Sequence, residues 1–194
     1  SGNFDDAKAN AGEKLIMLDF YASWWGGCNL LDTDTFSDPK VAQHAAENLI
    51  SVKVDVDKKE GRDLFSTFNG TVMPTLIFLD GSGNEVDRII GYLPPEEYRA
   101  KVSEIEKNIN TLGACLQKYE NGERTAHLLF TMAKKYTDRN DSGNAKRYYI
   151  ELLESFPDVD ESMVSTAQFE LAYDEFKNGN MDPFNEFINK FKTS

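Results

Sequence analysis

Cys28 closes the stretch Trp24-Trp25-Gly26-Gly27-Cys28, which ends an apolar run and leads into Asn29-Leu30-Leu31. A cysteine among tryptophans and glycines at such a place has the make-up of a thiol site. The chemistry open to it is exchange with disulfides through the thiolate. A dithiol cycle needs a second sulfur close by, and the stretch 21–36 holds only one. The other cysteine, Cys115, lies far along the chain in "TLGACLQKY", where it fits an apolar helical face with Leu112 and Leu116 and reads as a core residue. A bridge between the two would need their Cα atoms within about 7 Å, which a buried thiol would rarely offer. Two cysteines build neither a disulfide framework nor a Cys-rich zinc site. His44 and His127 are each distant in sequence from both, so no metal ligands are assigned.

The 194 residues carry 33 acidic against 21 basic side chains and a net charge of -12, with 40% hydrophobic and 12% aromatic residues. That composition describes a folded chain with a solvated acidic surface rather than a disordered acidic tail. Nucleic acid is excluded as a partner class, because phosphate binding needs a basic face. The longest apolar-rich run, Leu15 to Trp25, is short for a membrane span and contains Asp19. The chain opens Ser1-Gly2-Asn3 without methionine, as an expression scar or the trace of a removed targeting segment would leave it.

Alternating patterns position the thiol. Residues 4–13 have helical composition, 14–22 form a short buried strand, and 28–49 read as a helix interrupted at Pro39. An alternating strand covers 50–57, and a helix over 58–69 is expected to stop at Gly70. "TLIFLD" and "EVDRIIGYL" flank "GSGN" as an antiparallel hairpin, and 94–109 form a helix opened by prolines and acids. The order αβαβαββα predicts a mixed sheet with helices on both faces. From about 110 the pattern is helical only. Ala126, Leu129, Phe130, Ala133 and Tyr136 make one stripe; Ala145, Tyr148, Tyr149, Leu152 and Leu153 make another, and a second helix pair surrounds Gly179 and Pro183. The predicted division is an α/β domain over 1–109 and an all-α segment over 110–194.

"LDFYASWWGGC", followed by "VKVDVD", "VMPT" and "NEVDRIIGY", resembles the thioredoxin superfamily over about residues 4–109. "TFSDPKV" is closer to its disulfide-isomerase and periplasmic disulfide-reductase branches. The resemblance implies a thioredoxin fold with an all-α extension, the latter resembling a tetratricopeptide-like pair. It also implies roles by position. Cys28 matches the second, inner cysteine of the family motif and Trp25 stands where the first, attacking cysteine would be. Trp24 matches the preceding tryptophan, Gly26 the motif glycine, and Gly27 replaces a proline. Asp19 matches the buried carboxylate below the site, Lys53 the lysine near it, Pro74 the cis-proline and Gly91 a glycine in the neighbouring strand.

Disulfide exchange starts from an exposed thiolate at a helix N-terminus, and indole supplies none. The resemblance therefore implies a chain of the thiol–disulfide exchange lineage that is weak or inactive in turnover. It would bind a polypeptide or protein thiol partner along Trp24, Trp25, Gly26, Gly27, Met73, Pro74 and Gly91. The alternative is a monothiol oxidoreductase or isomerase acting through Cys28 with Asp19 and Lys53, and a third reading makes the helical segment the working surface. Trp25 itself is open to three readings: an exposed ligand-stacking patch, a residue packed on the helical segment, or a substitution without a role. No cofactor is implied, and an extracytoplasmic compartment is favoured over the cytoplasm.

Overall fold

The computed structural model describes residues 3–192, so the Ser1-Gly2 start lies outside the described residues. The chain divides into two compact units between Ala114 and Cys115. In the first, α1 (Phe4–Asn10) leads into β1 (Leu15–Tyr21), which is followed by α2 (Gly26–Leu30), a π-helical turn (Leu31–Thr35) and α3 (Pro39–Asn48). Next come β2 (Leu49–Asp55), α4 (Lys59–Thr67), the hairpin β3 (Thr75–Leu79) with β4 (Glu85–Ile90), and α5 (Pro95–Glu106). The sheet order is β2-β1-β3-β4, with β1 parallel to β2 and antiparallel to β3.

β1 is central, so both its faces are buried, which explains its nearly unbroken apolar run. Ile16, Leu18 and Phe20 pack with Val52, Val54, Ile77 and the partly buried Leu64, Phe65 and Phe68 on one face. Met17 packs with Leu31, Val41, Tyr98, Val102 and Ile105 on the other. Asp19 shares the parity of Met17, and thus the side covered by α3 and α5.

The expected helix over 28–49 begins two residues earlier and is cut in two before Pro39. At the π-helical turn the Phe36 N–H reaches the Leu31 carbonyl at 2.9 Å, and Asp38 then caps α3 by accepting from the N–H groups of Lys40 and Val41. Gly70 is not the left-handed stop of α4. Asn69, at φ 53°, takes that conformation, while a Cβ on Gly70 would lie 2.0 Å from the Phe65 ring. In the hairpin turn Asp80 accepts from the backbone of Ser82 and Asn84, and Gly83 is left-handed at φ 87°.

The second unit consists of α7 (Ala126–Thr137), α8 (Ser142–Ser155), α9 (Glu161–Lys177) and α10 (Asp182–Lys192), with most of α6 (Leu112–Glu120). Thr125, Asp141 and Asp160 cap α7, α8 and α9 with their side chains. Cys115 is buried there among Leu129, Met132, Tyr148 and Leu152.

Candidate functional site

The end of β1 and the start of α2 set the site. Trp25 is the N-cap residue of α2: its carbonyl accepts from the N–H groups of Cys28 and Asn29, and its indole has no acceptor with which to cap the helix. Trp25 is 45% exposed and Trp24 65%, their rings meeting edge to face at 5.8 Å. The Trp24 indole N–H donates to both carboxylate oxygens of Asp57 at 3.1 Å.

Gly27 explains the close approach beside the motif. A Cβ there would stand 3.2 Å from Pro74 Cδ and 3.3 Å from Trp25 Nε1, so the missing side chain leaves room for the indole next to the proline. The Met73–Pro74 peptide is cis, Met73 precedes the β1–β3 ladder, which starts at Thr75, and the Pro74 carbonyl accepts from the Gly91 N–H at 2.8 Å. Gly91 lies one residue past β4 rather than within it, at φ 83°. Gly26, in the first turn of α2, has open space where a side chain would be.

Beneath this surface Cys28 is 3% exposed and its thiol is free. Burial pushes the Cys28 thiol up from its ordinary value, opposed by a hydrogen bond with the Ala22 backbone and by Lys53, and aided by the charges of Asp19 and Asp32. Asp19 is buried too, and burial pushes its carboxyl up to about 6, with Lys53 pulling it down and Asp32 raising it further. Among the described residues its Oδ1 is the buried side-chain oxygen without a hydrogen-bond partner. Lys53 Nζ is 3.5 Å from Asp19 and 2.5 Å from Asp32. Burial disfavours the Lys53 ammonium, but its bond to Asp32 and the two carboxylate charges hold its pKa above the usual lysine value. A cleft of about 300 Å³, walled by Met17, Phe36, Val41 and Ala45, adjoins this cluster.

The structure thus brings the exposed Trp24 and Trp25 next to Gly27 and the buried Pro74, with Asp19 and Cys28 buried below and the exposed Lys53 reaching Asp19 from β2. Sequence reasoning missed Asp32 and Asp57. Asp32 stands four positions after Cys28, a spacing that places both on one helical face; Asp57 lies just past a strand end.

The model of a family described as a thioredoxin-like domain matches residues 3–106. The chain belongs to this family. Curated relatives of the thioredoxin-like domain are thiol:disulfide interchange proteins named DsbD. The Yersinia pestis protein is 34% identical over 93 residues, covering 46% of this chain and 16% of that protein. The Cronobacter sakazakii protein is 36% identical over 95 residues, covering 47% and 16%. The chain thus spans about a sixth of the length of the curated relatives it matches. A solved structure titled DsbH Oxidoreductase superposes with a TM-score of 0.51 at 21% identity, covering 55% of this chain and 83% of that one. This likeness shows the fold. The thioredoxin-like domain is of the thiol–disulfide exchange lineage. Among the described residues, no helix is long and apolar enough to cross a membrane.

Proposed function

We propose that the chain binds an extended polypeptide or protein thiol partner across Trp24, Trp25, Met73 and Pro74, and carries out little or no disulfide turnover. The observation that carries this reading is Trp25 at the N-cap of α2, the place where an attacking thiolate would be stabilised, with Cys28 buried behind it. Burial raises the Cys28 pKa and so lowers its thiolate fraction, which leaves the remaining sulfur poorly placed to start exchange. The buried Asp19 and the exposed Lys53 remain as a proton-holding pair with no attacking thiol to serve. The reading places binding in 1–109, with 110–194 as a separate helical segment. Its setting is an extracytoplasmic compartment, where disulfides persist.

Reduction of insulin disulfides by the purified chain tests the reading. Background turnover, with no further loss on Cys28→Ser, is expected, together with saturable binding of extended peptides. Turnover at ordinary thioredoxin rates would overturn it. Rapid alkylation of native Cys28 near neutral pH would instead support monothiol exchange.

A further inference from the structure

We propose that the Trp24–Trp25 surface selects extended polypeptides carrying an arginine or lysine next to an apolar residue. The inference rests on the polypeptide-binding reading above and adds the chemistry of the partner.

A continuous run of contacts defines the surface. Asp57 holds the Trp24 indole, Trp24 meets Trp25 edge to face, and Trp25 and Pro74 converge over Gly27. Val72, two residues before Pro74 in sequence, is 49% exposed. One end of the run is therefore apolar, and the other is a carboxylate beside an open indole.

Charge decides what fits that second end. The basic side chains nearby are matched: Lys53 by Asp32 and Asp19, Lys58 by Asp55, and Lys59 by Asp63. The Arg62 guanidinium donates to the backbone carbonyls of Val56 and Asp57. The Asp57 carboxylate, by contrast, is held by the neutral indole of Trp24. A carboxylate offers about four lone-pair sites, so one indole N–H leaves room for a guanidinium or ammonium. The ring adds to this, because tryptophan presents the best side-chain face for a cation. A partner carboxylate would be repelled by the Asp57 charge, and the net charge of -12 steers cationic chains toward the protein at long range. An extended chain with an apolar residue against Trp25 and a cation over Trp24 matches both ends.

The test uses three blocked hexapeptides of one valine- and threonine-rich sequence, differing at a single central position as Arg, Gln or Glu. Binding to the full chain is followed by calorimetry at low and high salt. The Arg peptide is expected to bind about tenfold more tightly than the Gln peptide at low salt, with the Glu peptide weakest and the Arg advantage shrinking as salt rises. Asp57→Asn, with its fold verified by circular dichroism, is expected to remove most of the Arg advantage, read as the ratio of Arg- to Gln-peptide affinity within the variant. Equal binding of all three peptides, or an Arg advantage that survives Asp57→Asn, would overturn the proposed selectivity while leaving polypeptide binding in place. Failure of all three to bind would overturn both.

Discussion

Lys53 stands directly opposite Asp19 in the parallel β1–β2 register, yet its ammonium lies 2.5 Å from Asp32 and 3.5 Å from Asp19. The register brings the pair together, and the helix after the motif then draws the lysine toward a second acid. Asp19 is left buried, with one oxygen unpartnered and its carboxyl pushed up to about 6.

That shift makes stability depend on pH in a definite direction. Unfolded, the carboxyl titrates near 3.8, so between there and about 6 the folded state keeps a proton that the unfolded state has released. Rising pH therefore favours unfolding through this group: the cost is absent below about pH 4 and complete above about pH 6. Asp19→Asn is expected to stabilise the chain by roughly 2–3 kcal/mol at pH 7.5 and to change little at pH 4, as read from urea unfolding at the two pH values. Equal effects at both would show that Asp19 titrates normally.

The neighbours of Asp19 should move its titration in opposite directions. Asp32→Asn removes a like charge and frees Lys53 for Asp19, so the Asp19 pKa is expected to fall; Lys53→Met removes the attractive charge, so it is expected to rise. Carbon-detected NMR titration of the carboxylates measures both. A shift of the same sign in the two variants would contradict the three-residue arrangement.

Trp25→Cys would place a thiol at the α2 N-cap, beside amide N–H groups that favour an anion, one helical turn from Cys28. Disulfide reductase turnover is expected to appear, at least tenfold above the unmodified chain, and to vanish when Cys28→Ser is added. Absence of turnover in a folded Trp25→Cys protein would mean that more than the attacking sulfur is missing.

Gly61 sits in the first turn of α4, where alanine would ordinarily gain about 1 kcal/mol of helix stability. Here a Cβ would lie 2.0 Å from the Asp55 carbonyl oxygen and 3.3 Å from Val54 Cγ1. Steric overlap with backbone outweighs propensity, so Gly61→Ala is expected to destabilise by about 1–3 kcal/mol in urea unfolding. A change in tryptophan fluorescence should accompany this, since Asp57 lies on the same β2–α4 connection and holds Trp24. A gain in stability would show that the connection yields freely.

The sequence by itself determined the order of elements around the motif, because local patterning carries it: the buried run of β1, the alternation of β2, the hairpin signalled by "GSGN" and the helical stripes after residue 110. It also placed WWGGC at a strand-to-helix junction. Local signals were less decisive at helix ends. Asn69, not Gly70, became the left-handed residue, because Phe65 packs against Gly70 and either residue type tolerates positive φ. The π-helical turn likewise carries no residue pattern that marks it. Only the tertiary structure decided which charges matter. Asp32 reaches Lys53 on β2 from the turn after α2, and Asp57 reaches Trp24 from the end of another strand. Such pairings depend on through-space distance between distant chain segments, and spacing along one segment cannot encode them.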